Sequence, residues 1–208
     1  MINELVERYP CLIACEQDII KAQQIIIDCY EKGGKLILCG NGGSAADCEH
    51  IAGELMKGFL KKRPLSDEIK HKMKESCPVL TDETLSLLQQ GLPAVSLPIM
   101  AGFNSAVGND TDPALCYAQG VFALGEKKDL LFAISTSGNS FNVCKAAEVA
   151  KGKGMKVVSL TGKYGGKIKE ISDVSLCVPE TETYKIQELH LPVYHYLCAA
   201  VEQHFFSI

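Results

Sequence analysis

The sequence predicts an α/β fold: a doubly wound, five-stranded parallel sheet flanked by helices, with long helices towards both ends of the chain. Three observations carry this. Five short runs are almost continuously apolar, as strands buried on both faces must be. Between them lie stretches whose apolar residues recur at helical spacing, and this alternation is the pattern of a parallel sheet covered on both sides. Two of the strands also lead straight into glycine- and hydroxyl-rich turns that open helices.

In chain order, Leu12 to Tyr30 has helical periodicity and is stopped by Gly33-Gly34, giving the long N-terminal helix. Lys35–Cys39 is the first buried strand, followed by Gly40-Asn41-Gly42-Gly43-Ser44 and a helix over about Ala45–Phe59. The stretch from Leu60 to Gly91 is more highly charged and is punctuated by Pro64 and Pro78, with short helices expected near Ser66–Glu75 and Asp82–Gln90. Further strands are predicted at Ala94–Leu97, Leu130–Ile134, Lys156–Leu160 and Val174–Val178, with helices at Pro113–Leu124, Phe141–Lys153 and Gly166–Ile171. The last element, Thr181–Phe206, is a helix with Pro192 inside it, so a kink is expected near Glu188–Leu189. Neither a repeat nor a linker divides the sequence, which reads as one domain over residues 1–208.

Composition narrows the function classes. The net charge is -4, and Arg8 and Arg63 are the only arginines beside nineteen lysines. A nucleic-acid surface wants a basic face with arginine, so that class is disfavoured. Apolar runs are too short to span a membrane, and Met1-Ile2-Asn3-Glu4 opens with neither a basic nor an apolar stretch, which predicts a cytoplasmic protein. Ten cysteines would suggest disulfides, but no C-x-x-C pair occurs and Cys29, Cys39, Cys144, Cys177 and Cys198 sit within apolar patterns. They read as reduced core residues.

The chemistry is concentrated in the turns. Ser135-Thr136-Ser137-Gly138-Asn139-Ser140 lies between the strand ending at Ile134 and a helix opening at Phe141. A helix start has unpaired N–H groups and a partial positive charge, so it attracts anions. An ordinary N-cap needs one hydroxyl, whereas here there are four, and Gly138 allows close approach of a ligand. The guest expected is a phosphomonoester held by hydroxyls and amides rather than by an arginine clamp. The Gly40–Ser44 turn repeats this logic. It is neither a dinucleotide fingerprint, since Ala45 stands where glycine is needed, nor a P-loop, since no G-K-[ST] follows. Paired turns at the carboxyl ends of parallel strands converge where open α/β sheets bind ligands.

These turns, together with Leu160-Thr161-Gly162-Lys163 and Gln187-Glu188-Leu189-His190, resemble the sugar isomerase (SIS) family and, within it, the phosphoheptose isomerases. The resemblance runs from about Gly33 to Phe206, and residues 61–92 are longer than the family's usual connection. It implies an aldose–ketose isomerase that converts sedoheptulose 7-phosphate to a heptose phosphate, assembled as a homotetramer with active sites at subunit interfaces. It further implies one zinc ion per site, held by His50, Glu54, Gln187 and His195, with Glu54 and His195 as acid/base groups. Spacing alone does not establish this. His50 and Glu54 are one turn apart, which also describes a solvated pair, and Gln187 and His195 stand about 80° apart around a helix. By the same resemblance Asn41, Gly42, Gly43, Ser44, Asn109, Asp110, Ser135, Thr136, Ser137, Ser140 and Gln187 bind substrate, although Asn109-Asp110 also suits a plain turn. His190 reads as structural, and His71 and His204 as surface residues.

Isomerisation through an enediol needs a base, an acid and a stabiliser for the developing oxyanion, and Glu54, His195 and zinc match those needs. Two departures touch the sugar end. Leu55-Met56-Lys57-Gly58-Phe59 lacks the arginine the family carries after this glutamate, and Tyr184 replaces an aspartate three residues before the glutamine. The alternatives are an isomerase of another ketose phosphate, or a non-catalytic SIS protein that binds a sugar phosphate or a protein partner.

Overall fold

The computed structural model describes residues 1–206. Five parallel strands, β1 (Leu36–Gly40), β2 (Ala94–Ser96), β3 (Leu130–Ser135), β4 (Lys156–Thr161) and β5 (Val174–Cys177), form one sheet in the order β2-β1-β3-β4-β5. β1, β3 and β4 are buried almost throughout, which explains why they read as unbroken apolar runs.

Alternate residues of β1, β3 and β4 feed two cores. Leu36, Leu38, Phe132, Ile134 and Leu160 pack against α2 (Glu16–Glu31), α3 (Gly43–Met56) and α10 (Thr183–Phe205). Ile37, Cys39, Leu131, Ala133 and Val157 pack against α7 (Cys116–Leu124) and α8 (Phe141–Gly152). The chain therefore leaves β1 towards one face and β3 towards the other. Because β1 and β3 are neighbours, a crevice opens between α3 and α8 at their carboxyl ends, which is the switch point of this strand order.

At the amino end the structure departs from expectation. The periodicity beginning at Leu12 starts as a 3-10 turn, Pro10–Cys15, and regular α2 begins only at Glu16. Ahead of it stands an unpredicted helix, α1 (Ile2–Arg8), whose one buried residue, Leu5, is too little for a periodic signal. A second unpredicted helix, α6 (Ala101–Asp110), is rich in Gly, Asn and Ser and has no buried residue. Both therefore escape a reading based on apolar spacing. The helix expected from Pro113 begins with a short 3-10 turn before α7, and α10 runs on through the buried Pro192. All ten cysteines are free thiols.

The segment after α3 contains α4 (Asp67–Ser76), capped by the Ser66 hydroxyl, and α5 (Asp82–Leu87), capped by that of Thr81. Its two ends meet. Pro64 and Gln89 form an antiparallel bridge, Gln90 N donates to Arg63 O at 2.7 Å, and Leu92 N donates to Leu55 O at 2.9 Å. Arg63 is fully buried, with Nε 2.8 Å from Glu202 Oε1 on α10 and Nη1 2.8 Å from Leu55 O. The Glu202 carboxylate also accepts from the amides of Phe59, Leu60 and Lys61. The end of α3 is thereby tied to α10. The short α9 (Ile168–Ile171) completes the described elements. Among the described residues no helix is long and apolar enough to cross a membrane.

Candidate active site

The crevice is built first by its two turns. After β1, Gly42 adopts φ +55°, a conformation only glycine takes readily, and the Ser44 amide closes on Asn41 O at 3.0 Å. After β3, Gly138 adopts φ +64° and lies so close to Gly165 that a Cβ there would meet the Gly165 carbonyl. The two turns are joined directly. The Asn41 and Asn142 side-chain amides bond reciprocally, each at 2.9 Å. Asn142 was not singled out from sequence, although an amide in the first turn of a helix after such a loop is a readable signal.

Within the second turn, Ser135 Oγ and Ser140 Oγ are 3.0 Å apart, and Ser137 Oγ accepts from Asn139 N at 3.1 Å. Ser140 is the N-cap of α8, yet its hydroxyl makes no capping bond to the helix. The hydroxyls are thus not consumed by capping and stay grouped at the positive end of a twelve-residue helix. Thr136 contributes through its backbone, accepting from Gly162 N at 3.0 Å.

Lower on α3, a second group assembles. His50 Nε2 is 3.3 Å from Glu54 Oε1 and 3.5 Å from His195 Nε2, which reaches in from α10. The His50 and His195 rings meet edge-on with centroids 4.9 Å apart. On its other side, His50 Nδ1 lies 3.0 Å from the Tyr194 hydroxyl. Lys57 Nζ donates to the second oxygen of Glu54 at 3.1 Å. Burial, and then the neighbouring His50, lower the His195 pKa, against the opposing pull of Glu54. A cleft of about 320 Å³ between α1, Phe59–Leu60 and α10 has His195 in its wall.

Gln187 is placed elsewhere in the crevice. Its amide covers Gly43 so closely that a Cβ on that residue would meet Nε2. Among the described residues no group of three or more His, Cys, Asp or Glu closes into a ready metal cage. Asn109 and Asp110 end α6, exposed, with Asn109 Nδ2 donating to Asp110 Oδ1 at 2.8 Å; they occupy the last helical turn rather than a loop. His190 is completely buried, while His71 and His204 are surface partners of Glu75 and Glu31.

Lys57, Tyr194 and Asp47 are site neighbours that the sequence reading passed over. A signal existed for two of them: Asp47, His50 and Glu54 fall on one helical face, and Tyr194 directly precedes His195.

Comparison with known proteins shows what the whole chain is similar to. Two SIS-domain family models match the chain, over residues 12–90 and 109–200. The phosphoheptose isomerase of Helicobacter pylori (strain P12) is 40% identical over 190 residues, covering 91% of this chain and 85% of the relative. That of Methylibium petroleiphilum is 39% identical, covering 88% and 80%. Among solved structures, phosphoheptose isomerase GmhA from Neisseria gonorrhoeae superposes with a TM-score of 0.72 at 31% identity, over 97% of this chain and 98% of that one. The enzyme from Francisella tularensis gives 0.75 at 29% identity, over 97% and 94%.

Proposed function

Since the chain belongs to the phosphoheptose isomerase family of SIS-domain proteins, we propose that this phosphosugar isomerase acts on sedoheptulose 7-phosphate, giving D-glycero-D-manno-heptose 7-phosphate. The observation that carries the reading is that α3 links two groups: it opens at the turn bonded to the hydroxyl-lined start of α8, and further along it carries a carboxylate–imidazole group completed from α10. The first suits a phosphate, and the second suits proton transfer at the far end of a sugar.

In this reading the phosphate rests on Ser135, Ser137 and Ser140 and on the amides opening α8, and Asn41 and Ser44 orient the sugar. The Glu54 carboxylate takes a proton from C1 of the ketose, giving an enediol, and returns it to C2. His195 carries the proton between the two oxygens, and its lowered pKa leaves it largely neutral near pH 7, free to accept one. Lys57 holds Glu54 in place and opposes its charge.

The family resemblance also supports a zinc ion, although no three His, Cys, Asp or Glu among the described residues close into a cage as they stand. Ligands on a tetrahedral zinc stand about 3.3 Å apart, close to the two separations from His50 Nε2 to Glu54 and to His195. His50, Glu54 and His195 would hold it, with Gln187 able to join from its place over Gly43. When bound, it would polarise the substrate carbonyl. The family resemblance also supports a homotetramer, which light scattering would report as about 90 kDa, four times 22.6 kDa.

The test is proton NMR of five- to seven-carbon ketose phosphates in deuterated water. Sedoheptulose 7-phosphate should be converted fastest, with solvent deuterium entering at C1 or C2. Product free of deuterium would remove the enediol step, and faster turnover of a shorter sugar would replace the substrate.

A further inference from the structure

β1 outruns its edge neighbour. Leu36, Ile37 and Leu38 pair with Ala94, Val95 and Ser96, where β2 ends, while β1 continues to Gly40. Leu36 N donates to Pro93 O at 3.1 Å, so the backbone of Leu36 faces β2, and the two-residue period turns Leu38 and Gly40 the same way. The Gly40 carbonyl therefore points past the end of β2. Gly40 is buried, and a buried carbonyl needs a donor.

Tyr117 supplies one. Its buried hydroxyl donates to Gly40 O at 2.7 Å. The ring lies in the core on the α7 side, 8% exposed. Phenylalanine would meet the packing there; what the hydroxyl adds is the bond, because a buried phenol seeks a partner. Gly40 is pressed as closely by α3, since a Cβ on it would meet the Ser44 carbonyl. The Gly40 carbonyl and the Asn41 amide share one planar peptide, so holding Gly40 O holds the plane from which Asn41 leaves the strand. Asn41 then bonds to Asn142 through its side chain and to Ser44 N through its carbonyl.

We propose that Tyr117 is a positioning residue for the sugar: by holding the Gly40 carbonyl, its hydroxyl sets where Asn41 and Ser44 stand in the crevice. It touches no substrate and acts through the backbone of the turn. The inference rests on the reading that this turn orients the sugar. Tyr30 offers a matched comparison. It is also 8% exposed, and its hydroxyl also donates to a backbone carbonyl, Pro93 O at 3.2 Å, but at the amino end of β2, away from the crevice.

The experiment compares Tyr117→Phe with Tyr30→Phe in the full-length protein, each variant losing one hydroxyl and keeping its ring. KM and kcat are measured for whichever five- to seven-carbon ketose phosphate the wild type converts fastest. Hydrogen exchange is followed by mass spectrometry on peptides containing Ser44 and Ala45, whose amides close the turn. Tyr117→Phe should raise KM about 2- to 10-fold, as the loss of one hydrogen bond predicts, with kcat changed less. It should also speed exchange in the turn. Tyr30→Phe should lower the melting temperature by a similar amount, yet leave KM and the exchange of the turn at wild-type values. An unchanged KM in Tyr117→Phe, an equal rise in both variants, or unchanged exchange in the turn would overturn the proposal. Wild type that binds a ketose phosphate without converting it would remove the isomerase reading alone, and calorimetric affinity would then take the place of KM.

Discussion

At Glu54 each carboxylate oxygen has a distinct neighbour: Oε1 faces His50 and Oε2 faces Lys57. Glu54→Gln keeps the size of the side chain but removes its basicity, and steady-state assays at saturating zinc should show turnover lowered by about 10²- to 10⁴-fold. His190 offers a different test. It is buried, and burial, only partly opposed by the Thr161 backbone, pushes its pKa from 6.5 down to about 4. Between those values the unfolded chain binds a proton that the native protein refuses, so stability is fully present above pH 6.5 and drains away as pH falls towards 4. The loss from this residue is about 3 kcal/mol between pH 7 and 4. His190→Leu should flatten that part of the slope in urea titrations run across the range.

Among the elements, the turn after β3 and the end of α3 are held by different forces. Ser137 is exposed and its Oγ accepts one backbone bond, so Ser137→Ala should leave the melting temperature nearly unchanged. A hydrogen bond to a charged phosphate is worth about 1.5–3 kcal/mol, so calorimetric titration should find sugar-phosphate binding weakened roughly 10- to 100-fold. The Arg63–Glu202 pair is buried and satisfied on several sides. Removing one member strands the other, and Arg63→Met should cost about 3–5 kcal/mol in denaturant unfolding. Sequence periodicity located the strands and both glycine-rich turns because β1, β3 and β4 are buried on both faces. It missed α1 and α6 because those helices bury almost nothing. In the site, the motif residues were legible in the chain, whereas the Asn41–Asn142 bond spans 101 residues and the His50–Tyr194 contact 144. No local pattern encodes such pairings; they follow from the strand order that sets α3 beside α10 and β1 beside β3.

Across the whole molecule, the strand order divides the work. The two cores hold the sheet from opposite faces, and the crevice is what remains where α3 and α8 part. The closed neck at Pro64 and Gln89 has one more effect. α4 beyond it has no buried residue and carries the exposed Lys72. A protease that cuts there severs the backbone without touching what binds the halves: β1 on one piece pairs with β2 and β3 on the other, and Arg63 reaches across to Glu202. Brief trypsin treatment should therefore yield two bands on a denaturing gel but one peak, at the uncut elution volume, on a native sizing column. Two peaks there would mean that the continuous chain is needed to hold the halves together. A single peak would show that the folded pieces stay joined by the sheet and the buried ion pair without a continuous backbone.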